Sequence, residues 1–69
     1  MSKVMSPGAP EQEVAGMKYA EKYFAERPNL PAAGCRLVGN VFFRKHSKKR
    51  ESFAIGFERM AYIVSQERT

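Results

Sequence analysis

One cysteine, no tryptophan and no apolar run of about 18 residues mark what this 69-residue chain lacks. Without such a run it holds no membrane-spanning segment, and no charged start followed by an apolar core marks a secretory leader. Cys35 alone forms no internal disulfide, which fits a reducing, cytoplasmic setting. Cys35 and His46 are too few for a metal site, which takes about three or four ligands. A glycine-rich phosphate loop is missing as well, since Gly39 and Gly56 stand alone, and no cofactor is implied. The acids offer no shielded cluster. Glu11, Glu13, Glu21 and Glu26 read as the solvated side of a helix, Glu51 adjoins basic residues, and Glu58 stands at a helix start. Acid–base catalysis needs such groups in one pocket, so the chain is expected not to be an enzyme.

At 43% hydrophobic residues the chain is nonetheless too apolar for a disordered tail. Its length allows one domain, expected over residues 10–69, after a flexible lead-in over 1–9 that contains Ser6, Pro7 and Gly8. Lys3 is the lead-in's only charged side chain, so it makes a poor binding arm. A core this small gains much from a second copy, and a homodimer is a natural expectation.

Pro10 suits the first turn of a helix, and Glu11 and Glu13 suit its positive end. Val14, Met17, Ala20 and Phe24 then recur on one side, with Tyr19 and Tyr23 beside them, until Pro28 ends the segment. The pattern predicts an amphipathic helix over about residues 11–27. The two tyrosines read as core-edge aromatics that keep a wet hydroxyl. Residues 28–34, PNLPAAG, read as a connector that Leu30 pins to the core.

From Cys35 to Phe57 the apolar residues alternate with period two. Cys35, Leu37, Val41 and Phe43 share one strand face, opposite Arg36, Asn40, Phe42 and Arg44; Gly39 marks a bulge or a close backbone approach. Phe53, Ile55 and Phe57 share a second face, opposite Ser52, Ala54, Gly56 and Glu58. An antiparallel β-hairpin whose tip runs from His46 to Glu51 is the simplest account. A rival helix over about 48–66 would bury Phe53, Phe57, Met60, Ala61 and Val64, but it places Gly56 inside a helix, at about 1 kcal/mol. It also exposes Ile55 and Tyr62. The hairpin is preferred, followed by a short C-terminal helix from Glu58, or a third strand around Tyr62-Ile63-Val64. The fold class expected is therefore α+β.

Charge is the one pointer to function. Arg36, Arg44, Lys45, Lys48, Lys49 and Arg50 fall within residues 35–50 with no acid among them, whereas the rest of the chain is close to neutral. Six cations on one short element attract polyanions, and nucleic acid gains most because its phosphates release counterions. These six residues, with Phe42 stacking on an unpaired base, are the candidate nucleic-acid contacts, and the lysines promise attraction to phosphates rather than sequence reading. His46 in the tip would strengthen anion binding when protonated. Two other partners fit the same residues. An acidic protein would meet Phe42, Tyr19, Tyr23 or a free sheet edge, and anionic lipid headgroups would meet the tip and Phe42. Set against all three is the bland account, a lysine-rich turn that keeps a surface solvated.

Overall fold

Among the described residues the chain forms three helices: α1 over Ala9–Ala25, α2 over Ala32–His46 and α3 over Glu51–Glu67. They come from a computed structural model that describes residues 9–69. The expected lead-in, apart from Ala9, lies outside the described residues. α1 begins one residue before Pro10, whose missing N–H costs nothing in a first turn. It stops at Ala25, ahead of Pro28. Pro31 then occupies the N-cap of α2 in an extended conformation, and its carbonyl accepts the bond from the Cys35 N–H at 2.9 Å.

The expected β-hairpin is absent, and no strand occurs among the described residues. Its two arms are α2 and the first half of α3, and the fold is all-α. The cause is a coincidence of periods. Cys35, Val38, Gly39, Phe42 and His46 recur at three- and four-residue spacing and form the inward side of α2. The same segment also satisfies an alternating count, because short apolar runs fit both templates. Burial separates the two. Leu37 and Val41, assigned to the buried strand face, are 63% and 46% exposed, while Ala54 and Gly56, assigned to the solvent face, are buried. The short terminal helix from Glu58, or third strand, is the second half of α3. Residues 32–34 of the expected connector are the first turn of α2.

α3 is the central element, with α1 and α2 each packed along it and far less on one another, where the Tyr19 and Phe42 rings lie 6.2 Å apart. α2 runs antiparallel to α3, as Cys35 lies by Arg68, Gly39 by Ala61 and Phe42 by Phe57. Ala20, Phe24, Cys35, Phe57 and Ala61 form the sealed core, lined by Tyr23, Leu30, Val38, Phe42, Met60 and Val64. Gly16, and not Val14, belongs to the inward side of α1, where it precedes Ala20 and Phe24 by whole turns; Val14 is 48% exposed.

Gly16 and Gly56 explain how α1 and α3 meet. A β-carbon on Gly56 would run into the Glu13 backbone carbonyl, and one on Gly16 would run into the Phe53 carbonyl. The helices therefore touch main chain to main chain, an approach only glycine allows. The objection to Gly56 inside a helix is answered by this contact, which recovers the propensity it costs. Arg59 reaches Glu13 at 3.4 Å across the same crossing, an exposed pair that adds little.

At the other end Arg68 ties α3 to the α1–α2 connector. Its guanidinium donates to the carbonyls of Phe24 at 2.9 Å, Arg27 at 2.9 Å and Leu30 at 2.7 Å. Those carbonyls end α1 or follow it, where the negative end of the helix dipole favours a cation.

Gly56→Ala tests the crossing. Helix propensity alone would stabilise the protein by about 1 kcal/mol. Because the clash is with backbone, which cannot swing aside, a net loss of about 2 to 3 kcal/mol in urea unfolding is expected. Gly34→Ala is the control: its nearest neighbour is the tip of the Leu30 side chain, at 2.8 Å, which can turn away, so a smaller loss is expected.

Candidate binding surface

Helix geometry regroups the candidate contacts. Arg36, Asn40 and Arg44 repeat every four residues along one exposed side of α2, with Arg36 about 12 Å from Arg44 along the axis. Phe42 lies on another side of the helix. On a strand it would have shared a face with both arginines, and on α2 it does not. Arg44, Lys45 and His46 occupy the last turn of α2, Ser47 to Lys49 form a turn, and Arg50 is the N-cap of α3. Five of the six candidate cations thus meet at one corner of the bundle, and Arg36 lies two turns away. Arg36 and Asn40 border an open concavity of about 500 Å³ with Ile55, Glu58, Arg59 and Tyr62.

The corner's electrostatics divide in two. Cations in the last turn of α2 complement its negative end, which gives Arg44 and Lys45 an ordinary structural explanation. Arg50 has none of that kind. It holds the N-cap of α3, where Ser, Thr, Asp or Asn would satisfy a free N–H, and no side chain caps this helix. A cation there opposes the helix dipole. Glu51 in the first turn offsets part of the effect, and the Arg50 guanidinium settles over the Phe53 ring at 4.0 Å. Among the described residues, the ion pairs are Arg27 with Glu26 and Arg59 with Glu13. None of the six candidate cations pairs with a carboxylate among the described residues.

The aromatic residues serve mainly as packing. Phe42 is half-buried and stacks on Phe57, with ring centroids 3.9 Å apart and planes 11° from parallel. It also meets His46 at 4.3 Å and Tyr19 at 6.2 Å. His46 is half-buried against Phe42 and is not a free loop side chain. Tyr19 lies against Phe53 and Phe57, and Tyr23 carries the Arg27 guanidinium over its ring at 3.7 Å. Cys35 is fully buried, 3.6 Å from the Arg68 guanidinium.

Sequence reasoning missed one surface. Between α1 and α2 runs a cleft of about 360 Å³, floored by Val38, Phe42 and Phe57 and edged by Tyr19, Leu37, Val41 and Lys45. The signal was present: Ala33, Leu37, Val41 and Lys45 are spaced by four, which makes a single outward stripe once α2 is helical.

Arg50→Asp separates fold from binding at the corner. It supplies a cap and suits the dipole while losing the Phe53 contact, so a net gain of about 0.5 to 1 kcal/mol in thermal unfolding is expected. Affinity for a polyanion should fall in the same variant. A loss of stability would show that the Phe53 contact outweighs the cap.

Among the described residues no helix is long and apolar enough to cross a membrane. Comparison with protein families, with curated proteins and with solved structures finds no match to this chain.

Proposed function

We propose that this chain is a small, non-enzymatic, cytoplasmic nucleic-acid-binding protein. Arg44, Lys45, Lys48, Lys49 and Arg50 contact phosphates, and Arg36 extends the footprint along α2. The observation that carries this reading is the unpaired basic corner. Among the described residues the six cations lie without a carboxylate partner, and one of them occupies a helix N-cap where it opposes the helix dipole. Lys48 and Lys49 complement no helix end and Arg50 opposes one, which favours an external anion at this corner. The contacts are to backbone phosphates, since lysines in a turn carry no means of telling one base from another. Phe42 contributes less than the cations, because one face of its ring already rests on Phe57.

The second reading is an acidic protein partner. The apolar cleft beside Lys45 and His46 favours it, since nucleic acid has no use for Leu37 and Val41.

Fluorescence anisotropy with duplex DNA, single-stranded DNA and RNA over a salt series tests the first reading. Four or five phosphate contacts on a duplex give a slope of about −4 in log K against log salt, so affinity should drop about 100-fold or more between about 50 and 200 mM. Replacing Lys45, Lys48 and Lys49 with Ser should flatten that slope by about 3. Absence of binding to all three polymers at about 50 mM salt would eliminate this function.

A further inference from the structure

The concavity between α2 and α3 is built of different groups from the apolar cleft between α1 and α2. Arg36 and Asn40 border it from α2, and Ile55, Glu58, Arg59 and Tyr62 from α3. Its volume of about 500 Å³ falls in the range of small-ligand pockets. Tyr62, at 55%, is the most exposed aromatic residue among those described, and no other ring lies against it. Among the described residues, neither its hydroxyl nor the Asn40 amide makes a hydrogen bond. Arg36 and Glu58 have no ion-pair partner there either.

The antiparallel register fixes the order of these groups along the groove. Gly39 lies by Ala61 and Phe42 by Phe57, so Arg36 comes within a turn of Tyr62, and Asn40 within a turn of Glu58 and Arg59. One turn further along α2, Arg44 is level with Ile55, where the basic corner begins. A line of polar groups thus leads from Tyr62 to the corner.

We infer that the concavity is a subsite for one unpaired nucleotide of a single strand whose neighbouring phosphates run onto the basic corner. This rests on the phosphate-binding reading and adds a base to it. The Tyr62 ring has a free face for stacking, which any base can use. Arg36 takes the phosphate of that nucleotide, and the Asn40 amide presents a donor and an acceptor to the base edge. Arg59 stands at the rim, where Glu13 holds its guanidinium at 3.4 Å. Glu58 decides between a nucleotide and a bare anion. A carboxylate in the groove repels free phosphate, but it accepts hydrogen bonds from a sugar hydroxyl or an exocyclic amine. A duplex keeps its bases paired and stacked, so it leaves this subsite empty.

NMR titration of the labelled full chain with adenosine monophosphate, against inorganic phosphate at matched ionic strength, tests the subsite directly. Up to about 10 mM nucleotide, saturable shifts are expected at Arg36, Asn40, Glu58 and Tyr62, whereas phosphate alone should leave Asn40 and Tyr62 unmoved. In fluorescence anisotropy, a short single strand should bind about 5- to 150-fold more tightly than an abasic strand of equal length and charge. Tyr62→Ala should abolish that preference and keep the salt slope, and Tyr62→Phe, which keeps the ring, should retain both. The alanine variant should fold, because the Tyr62 side chain lies outside the core and Ser65 donates to its carbonyl rather than its hydroxyl. Equal binding of base-bearing and abasic strands would overturn the subsite and leave the corner's function standing. Shifts at Asn40 and Tyr62 that inorganic phosphate reproduces would overturn it as well. Failure of the corner's function reads differently: no strand binds at about 50 mM salt, and the strand subsite falls with it.

Discussion

The main-chain contact between α1 and α3 is the constraint on which the rest of the bundle depends. With Gly16 on one helix and Gly56 on the other, the backbones touch without intervening side chains. That approach brings Phe24, Tyr19 and Tyr23 within reach of Phe57 and Phe53. α2 is then seated against α3, with Gly39 facing Ala61 and Phe42 stacked on Phe57. A short chain buries little surface, so close contact replaces bulk. Arg68 closes the far end by gathering the carbonyls that α1 and its connector leave free.

Because α1 and α2 both pack on α3 and barely on each other, the fold leaves a cleft between them and a sharp corner where α2 turns into α3. The corner concentrates charge, and the cleft concentrates apolar surface. Lys45 belongs to both, as the last member of the outward stripe on α2 and the first of the basic turn.

The first helix was legible in the sequence because Pro10, the apolar repeat and Pro28 agree on it. The hairpin was misread for a definite reason. Between Cys35 and Phe57 a strand pattern and a helix pattern share most of their apolar positions, and the deciding residues were the small ones. Gly39, Ala54 and Gly56 look like bulges and surface fillers when each is taken alone. In the bundle they are contact points, whose value depends on a partner helix that local periodicity does not reveal. Gly16, and not Val14, faces inward on α1 for the same reason. The candidate cations were identified from charge counting, which does not depend on secondary structure, so five of the six still share a corner. Their relation to Phe42 and Arg36 did depend on it, and changed when the strand became a helix. Leu37 and Val41 went unnoticed as a surface because the strand pattern had already assigned them to the core.

The measurement that bears most directly on the proposed function is an NMR titration of the isotopically labelled chain with a short duplex and a short single strand, followed residue by residue. Phosphate contact at the α2–α3 corner requires the largest backbone shifts between Arg44 and Glu51, a smaller effect at Arg36, and little change around Gly16 or Arg68. Shifts centred on Tyr19, Leu37 and Val41, or none at any residue, would contradict it.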